Sequence, residues 1–246
     1  MTRRPARGRP YDARVDAPRR NEFGQPIGPA VEWSPREPVS PVHLEGRWSR
    51  VEPVAAHHLD GLYDALVLRS PDSIWTYLAA GPFPDRAGLN AWLRSLHDEA
   101  TWFPHAICQA DGRPLGIASY LRADPANGSV EVGGIAYAAA LQRTTAATEA
   151  MYLMARHVFD DLGYRRYEWK CDALNEPSRR AAARLGFTYE GTFRNALVYK
   201  GRNRDTAWFS ITDAEWPAIR TALEEWLDPA NHDEDGGQRA PLRAAR

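Results

Sequence analysis

Three groups of residues in this chain have types and spacings that suit chemistry. The first is Gln142-Arg143-Thr144-Thr145-Ala146-Ala147, at the head of an amphipathic helical pattern. A helix N-terminus leaves several backbone N–H groups without intrahelical partners, and the helix dipole adds partial positive charge there. Small side chains let an anion approach, so the run reads as a phosphate cradle. Taken alone, the same residues also fit a plain strand-to-helix turn capped by Thr144. The second is Glu131, early on an apolar strand. A partly buried carboxylate in that position would have a raised pKa and suit general-base work. The alternative is an ion pair with a cross-strand Arg or Lys. The third is Asn175-Glu176-Pro177-Ser178, where one element ends and another begins. Asn175 is a natural cap with Pro177 in the first helical turn. Ser178 fits a first-turn serine bonding the backbone.

The elements that must position these groups follow from hydrophobic periodicity. Val130–Tyr137 reads as a strand, and a helix follows from about Thr144, with Ala147, Met151, Met154, Ala155, Val158 and Leu162 on one face. Upstream, the pattern predicts a short strand from Arg47 to Pro53, a helix from Ala55 to Leu68, helical text from Pro71 to Leu78 and an amphipathic helix from Asp85 to Glu99. A meander of His105–Ala110 and Leu115–Arg122, with turns at Asp111-Gly112 and Asn127-Gly128, leads into the strand of Glu131. Downstream come a strand from Arg166 to Asp172, a helix from Pro177 to Leu185, strands at Thr188–Lys200 and Thr206–Thr212, and a last helix from Ala214 to Leu227. The sum is an α+β domain with a mixed, mostly antiparallel sheet and helices on both faces.

A single domain from 46 to 228 is expected. It lies between an Arg/Pro-rich arm, residues 1–45, read as disordered or draped over the surface, and a polar tail, residues 229–246. The 246 residues are 43% hydrophobic, ample for a core. A formal net charge of −1 gives no global reason to bind nucleic acid. Cys108 and Cys171 form neither a disulfide framework nor a metal-ligand spacing, so no metal is expected and both read as small buried hydrophobes. No apolar run reaches membrane-spanning length, and the N-terminus lacks the apolar segment of a secretory signal, which makes the cytoplasm the expected compartment.

Gln142 to Ala150, QRTTAATEA, resembles the pyrophosphate loop of the GNAT superfamily of acyl-CoA-dependent N-acyltransferases, in the wording of its RimJ/RimL-like branch. The family pattern is Q/R-x-x-G-x-G/A. Gln142 falls on its first position and Ala147 on its last, and Ala147-Thr148-Glu149-Ala150 matches outright. Thr145 stands where the family has glycine, the residue that takes positive φ without steric cost. Asn175 to Phe187, NEPSRRAAARLGF, resembles the family's second motif, N-x-x-S/A…LGF. Two motifs in the proper order and context point to acyl-CoA more strongly than either alone.

The resemblance implies the GNAT fold, in which the central strands splay apart to admit the pantetheine arm. It implies acetyl-CoA as co-substrate, with Gln142, Arg143, Thr144, Thr145, Ala146, Ala147 and Thr148 around the pyrophosphate. Asn175 would bond the pantetheine, Ser178 would lie near the thioester sulfur, and a backbone N–H among Ile135, Ala136 and Tyr137 would bind the oxyanion. The implied reaction is direct attack of a primary amine on the thioester in a ternary complex, with Glu131 as general base and Ser178 serving the departing sulfur. The phenol that many members carry four residues beyond Ser178 is replaced by Ala182. The acceptor is an amine on a small molecule or a protein N-terminus, and a homodimer is compatible with the sequence. Other readings stay open: a non-catalytic acyl-CoA sensor or scaffold, and succinyl-CoA as donor. A further expectation concerns Glu168 and Asp172, which alternate with Tyr167, Trp169 and Cys171: together with Glu131 they would make an acidic acceptor mouth. The alternative is that these carboxylates are paired charges under a helix.

Overall fold

The computed structural model describes residues 19–99, 101–233 and 237–244. Residues 1–18 of the arm expected to lack order therefore lie outside the described residues, whereas its residues 19–45 are described. The chain divides into two compact units, one ending at Ser34 and one beginning at Pro35. In the small unit, β1 (Arg19–Arg20) pairs antiparallel with β2 (Pro26–Ile27). Asn21 Oδ1 accepts from the backbone N–H groups of Phe23 and Gln25, and Gly24 takes φ +75°. This is the turn chemistry of an Asx-type loop.

The large unit carries an eight-stranded sheet in the order β3-β4-β5-β6-β7-β8-β10-β9. Its strands are β3 (Leu44–Glu45), β4 (Ser49–Pro53), β5 (Trp102–Gln109), β6 (Pro114–Asp124), β7 (Ser129–Tyr137), β8 (Arg166–Asp172), β9 (Thr188–Tyr199) and β10 (Arg202–Thr212). Every neighbouring pair is antiparallel except β7–β8, which is parallel. The parallel pair needs a crossover, and α3 (Thr145–Arg156) supplies it, continued by a π-helical turn from His157 to Asp161. β5 is buried without a break from Pro104 to Cys108, and β6 from Leu115 to Leu121. Successive buried positions mean that both faces are covered. The remaining helices are α1 (Leu59–Tyr63), α2 (Arg86–Asp98), α4 (Glu176–Arg184) and α5 (Trp216–Leu227). The helix expected from Ala55 to Leu68 runs as 3-10, α and π segments, and the helical stretch after Pro71 stops at Trp75.

The packed unit reaches further in both directions than the expected boundaries at 46 and 228. Val39 and Leu44 are buried, Tyr164 donates its hydroxyl to Glu37 O, and the Val42 N–H bonds His105 Nε2. Beyond α5, Trp226 Nε1 donates to Gln238, the His232 ring stands edge-on to Trp226, and Ala244 is buried. Apolar residues hold both segments down, and a composition count that reads them as polar overlooks those few anchors.

Candidate active site

The site begins with a failure of pairing. β7 and β8 are in register over four residues only, from Ser129 opposite Arg166 to Val132 opposite Trp169. Beyond them β7 continues to Tyr137 along β6, while β8 continues to Asp172 along β10. The two central strands therefore open into a cleft. A bulge in β7 marks the start of the opening: Ser119 faces Gly133 and Ile117 faces Ala136, so three steps of β7 match two of β6. An extra residue bends and twists its strand. Gly134 sits in the bulge at φ +59°, and a Cβ there would stand 2.8 Å from the Trp102 ring. Only glycine meets both demands. Gly134 and Ile135 have no register partner on β6, which leaves their peptide groups out of the regular ladder.

At the head of the cleft stands the predicted anion loop. Thr144 caps α3, its Oγ1 accepting from the Ala147 N–H at 3.1 Å. The Thr148 N–H bonds Thr144 O, and the Gln142 N–H bonds Ala138 O. Gln142 Nε2 donates to Tyr137 O, so this side chain braces the loop against the end of β7. The Thr148 hydroxyl accepts from Arg184. Of the predicted loop amides, those of Ala147 and Thr148 are thus already taken. Arg143, Thr145 and Ala146 keep amides with no acceptor in the protein among the described residues. Positive φ falls on Arg143, at +64°, and Thr145 is the first helical residue, outside the left-handed region. The threonine in place of glycine therefore carries no backbone penalty.

The neighbouring Glu149 escaped the sequence reading. Its buried carboxylate accepts from the backbone N–H groups of Arg47, Trp48 and Ser49, and from the Ser49 hydroxyl, at 2.7 to 3.0 Å. A Cβ on Gly46 would lie 2.4 Å from that carboxylate. The clue was a carboxylate on the same helical face as Ala146, Ala150 and Leu153, since a charge buried there must find donors.

Asn175 caps α4 as expected, its Oδ1 accepting from the Ser178 N–H at 3.2 Å. Ser178 Oγ accepts from Trp169 Nε1 at 3.0 Å. Because an indole N–H only donates, the serine keeps its own proton to give to a sulfur. Burial raises the Cys171 thiol pKa. Tyr189, within reach of the site in sequence, is half-exposed on β9 and bonds Thr192.

Of the two sequence readings of Glu131, the structure shows the ion pair. The residue is 4% exposed, and its Oε2 lies 2.7 Å from Arg122 and 2.9 Å from Lys170. Lys170 also contacts Glu168 at 2.8 Å and stands 3.7 Å from the Trp208 ring centroid. Arg166 bonds Glu168 and, at 2.6 Å, Glu190. Three cations and three carboxylates alternate across β6, β7, β8 and β9. The expected acidic mouth is therefore absent in that form, because Glu131 and Glu168 are neutralised in a ladder. The cause is tertiary: the register brings Glu131 opposite Glu168, and like charges facing each other require cations between them.

A group of Glu52, His57 and His58 has ligand atoms within 4.8 Å of one another. His58 Nδ1 accepts from the Ala55 N–H, which leaves the proton on Nε2, 3.3 Å from Glu52. That arrangement is a helix cap, with the ring nitrogen facing the carboxylate acting as a donor.

The family description "Acetyltransferase (GNAT) domain" matches residues 50–188. The chain belongs to the GNAT acetyltransferase family. A GCN5-related N-acetyltransferase from Brucella melitensis is 44% identical, with a TM-score of 0.83 over 86% of this chain and 96% of that one. A probable GNAT-family acetyltransferase from Chromobacterium violaceum is 36% identical, with a TM-score of 0.72 over 78% and 99%. The putative ribosomal N-acetyltransferase YdaF of Bacillus subtilis is 28% identical over 106 residues, 43% of this chain and 57% of that protein. This chain thus matches little more than half the length of that curated relative. RimJ of Mycobacterium smegmatis, solved with CoA-disulfide, shares the fold at 22% identity and a TM-score of 0.60.

Proposed function

We propose that the protein transfers an acetyl group from acetyl-CoA to a primary amine by direct attack within a ternary complex. The observation that carries this reading is the four-residue pairing of β7 and β8, followed by a cleft headed by unpartnered amides. The amides of Arg143, Thr145 and Ala146 would hold the pyrophosphate, with the dipole of α3 behind them. Gln142, Thr144, Ala147 and Thr148 shape that loop. Asn175 would meet the pantetheine, and the peptide groups at the bulge, which have no register partner on β6 and lie next to Ala136 and Tyr137, suit a developing oxyanion. The buried Tyr137 hydroxyl has no protein partner among the described residues, which agrees with a ligand group beside it. Ser178 hydrogen-bonds the sulfur as it leaves.

Glu131 receives a different role from the one the residue type suggests. We assign it to fixing β7 against β8 below the splay, through Lys170 and Arg122. The name of the Bacillus relative, a putative ribosomal N-acetyltransferase, directs the acceptor search to ribosomal amines first, N-terminal and lysine alike, then to small-molecule amines such as polyamines. No described helix is long and apolar enough to cross a membrane.

The test is product mass from a panel of such amines with acetyl-CoA and succinyl-CoA, beside calorimetric binding of CoA and of pantetheine. Acetylated products, and CoA bound more tightly than pantetheine, support the proposal. Equal affinity for the two ligands, or no acylated product from any amine, overturns it.

A further inference from the structure

We infer that Asp172, acting through Tyr199, takes the proton from the attacking amine; this rests on the acetyl-transfer reading above. Side chains alternate along β8, and Trp169 and Cys171 meet Ser178 of α4, so Glu168, Lys170 and Asp172 face the other way. Asp172 is the last residue of β8, three beyond the last residue in register with β7, and so lies in the splayed portion. Glu131 and Glu168 lie within the paired portion.

The partners differ as well. Glu131, Glu168 and Glu190 each contact Arg or Lys. Asp172, only 4% exposed, is held by two neutral donors: the Leu174 N–H at 2.8 Å to Oδ1 and the Tyr199 hydroxyl at 2.7 Å to Oδ2. A buried carboxylate held only by neutral groups is unusual for its cost and is a functional candidate for that reason.

Tyr199 comes from the far end of the β9–β10 hairpin, which runs past the end of β8. The hairpin tip is fixed on the segment after α1: Lys200 Nζ donates to Trp75 O at 2.7 Å and Arg202 Nη2 to Thr76 O at 2.6 Å. The hairpin tip thus sets the phenol over the end of β8. Burial, then the Asp172 hydrogen bond, pushes the Tyr199 hydroxyl up to about 12, so the phenol holds its proton unless another replaces it. The other charged or titratable groups facing the pair are Arg202 and Arg204 on β10, whose guanidinium groups lie 5.1 and 5.9 Å from the Tyr199 ring centroid, and Cys171 next to Asp172 on β8.

The step balances without a further reagent. The ammonium passes one proton to the Tyr199 oxygen as the Tyr199 proton moves to Asp172 Oδ2. The neutral amine then forms a C–N bond to the thioester carbonyl carbon. As the C–S bond breaks and the CoA thiolate leaves with its electron pair, the second proton on the attacking nitrogen is lost and passes to the thiolate through Ser178, which gives one proton and takes back another, or through solvent; Asp172 returns its proton to solvent.

The experiment compares two acceptors with acetyl-CoA: the methylamide of N-acetyl-lysine, whose amine is an ammonium at neutral pH, and O-methylhydroxylamine, which is already neutral. Tyr199→Phe keeps the ring and removes only the hydroxyl; Asp172→Asn keeps the shape. Both variants are expected to lower kcat on the lysine derivative by about 10²-fold, the lower end for loss of a general base. Both should leave KM for acetyl-CoA unchanged, flatten the acid limb of the pH profile and keep most of the turnover on O-methylhydroxylamine. Equal losses on the two amines, or wild-type kcat in both variants, would overturn the inference. A wild type that acetylates neither amine overturns the acetyl-transfer reading itself.

Discussion

Lys170 Nζ stands 2.9 Å from Glu131 Oε2, and this contact ties β8 to β7 where their hydrogen bonding stops. Lys170 is the first residue of β8 past the paired stretch, and it reaches back to the strand that is about to diverge. The pair fixes the root of the cleft without occupying it.

Replacing Glu131 by Gln should therefore act on stability before chemistry. Breaking a buried ion pair costs about 3–5 kcal/mol when a charge is left unpaired, but Lys170 keeps Glu168, so a loss of roughly 2 kcal/mol is expected. Urea unfolding would measure it. The acid limb of the kcat/KM profile should stay in place; a profile whose acid limb vanishes would return Glu131 to the role of base.

Glu149 should matter more to folding than any loop residue around it. Glu149→Ala would leave the buried N–H of Ser49 and the part-buried N–H groups of Arg47 and Trp48 without their acceptor, at about 1–3 kcal/mol for the buried one and less for the others. Glu149→Gln retains one acceptor oxygen and should fall in between. Gly46→Ala, which drives a methyl into the same carboxylate, should destabilise comparably. Melting temperatures in that order would establish the tie between β4 and α3.

His105 should make stability depend on pH. Its Nδ1–H donates to Phe103 O, its Nε2 accepts from Val42, and burial lowers its pKa from 6.5 to about 4. The unfolded chain therefore binds more protons than the folded one between those two values. The contribution is fully present above pH 6.5 and is lost as pH falls toward 4, for a total on the order of 3 kcal/mol. His105→Gln should flatten the stability slope in that window, read by denaturant midpoints across the pH range.

The loop prediction reverses the expectation drawn from the family pattern. Because Thr145 is already helical, Thr145→Gly should leave CoA affinity unchanged and cost up to about 1 kcal/mol of helix stability. Arg143→Gly, at φ +64°, should instead stabilise by several tenths of a kcal/mol or more. Calorimetry and thermal unfolding on the two variants separate these outcomes, and tighter CoA binding by Thr145→Gly would show that the glycine position does matter.

The sequence by itself determined the local elements and the family resemblance. β8 runs from Arg166 to Asp172, Thr144 and Asn175 cap α3 and α4, and the order of strand, loop and helix stands, because periodicity and capping act over a few neighbouring residues. Only the tertiary structure decided what the charged groups do. The alternation in Tyr167 to Asp172 says which residues share a face, but not that Lys170 would neutralise Glu131 and Glu168 while Asp172 received a phenol from Tyr199, 27 residues on. Likewise Glu149 found its donors 100 to 102 residues upstream. A buried charge is defined by the partners that replace water, and those partners are set by strand register and hairpin geometry, which no local pattern encodes.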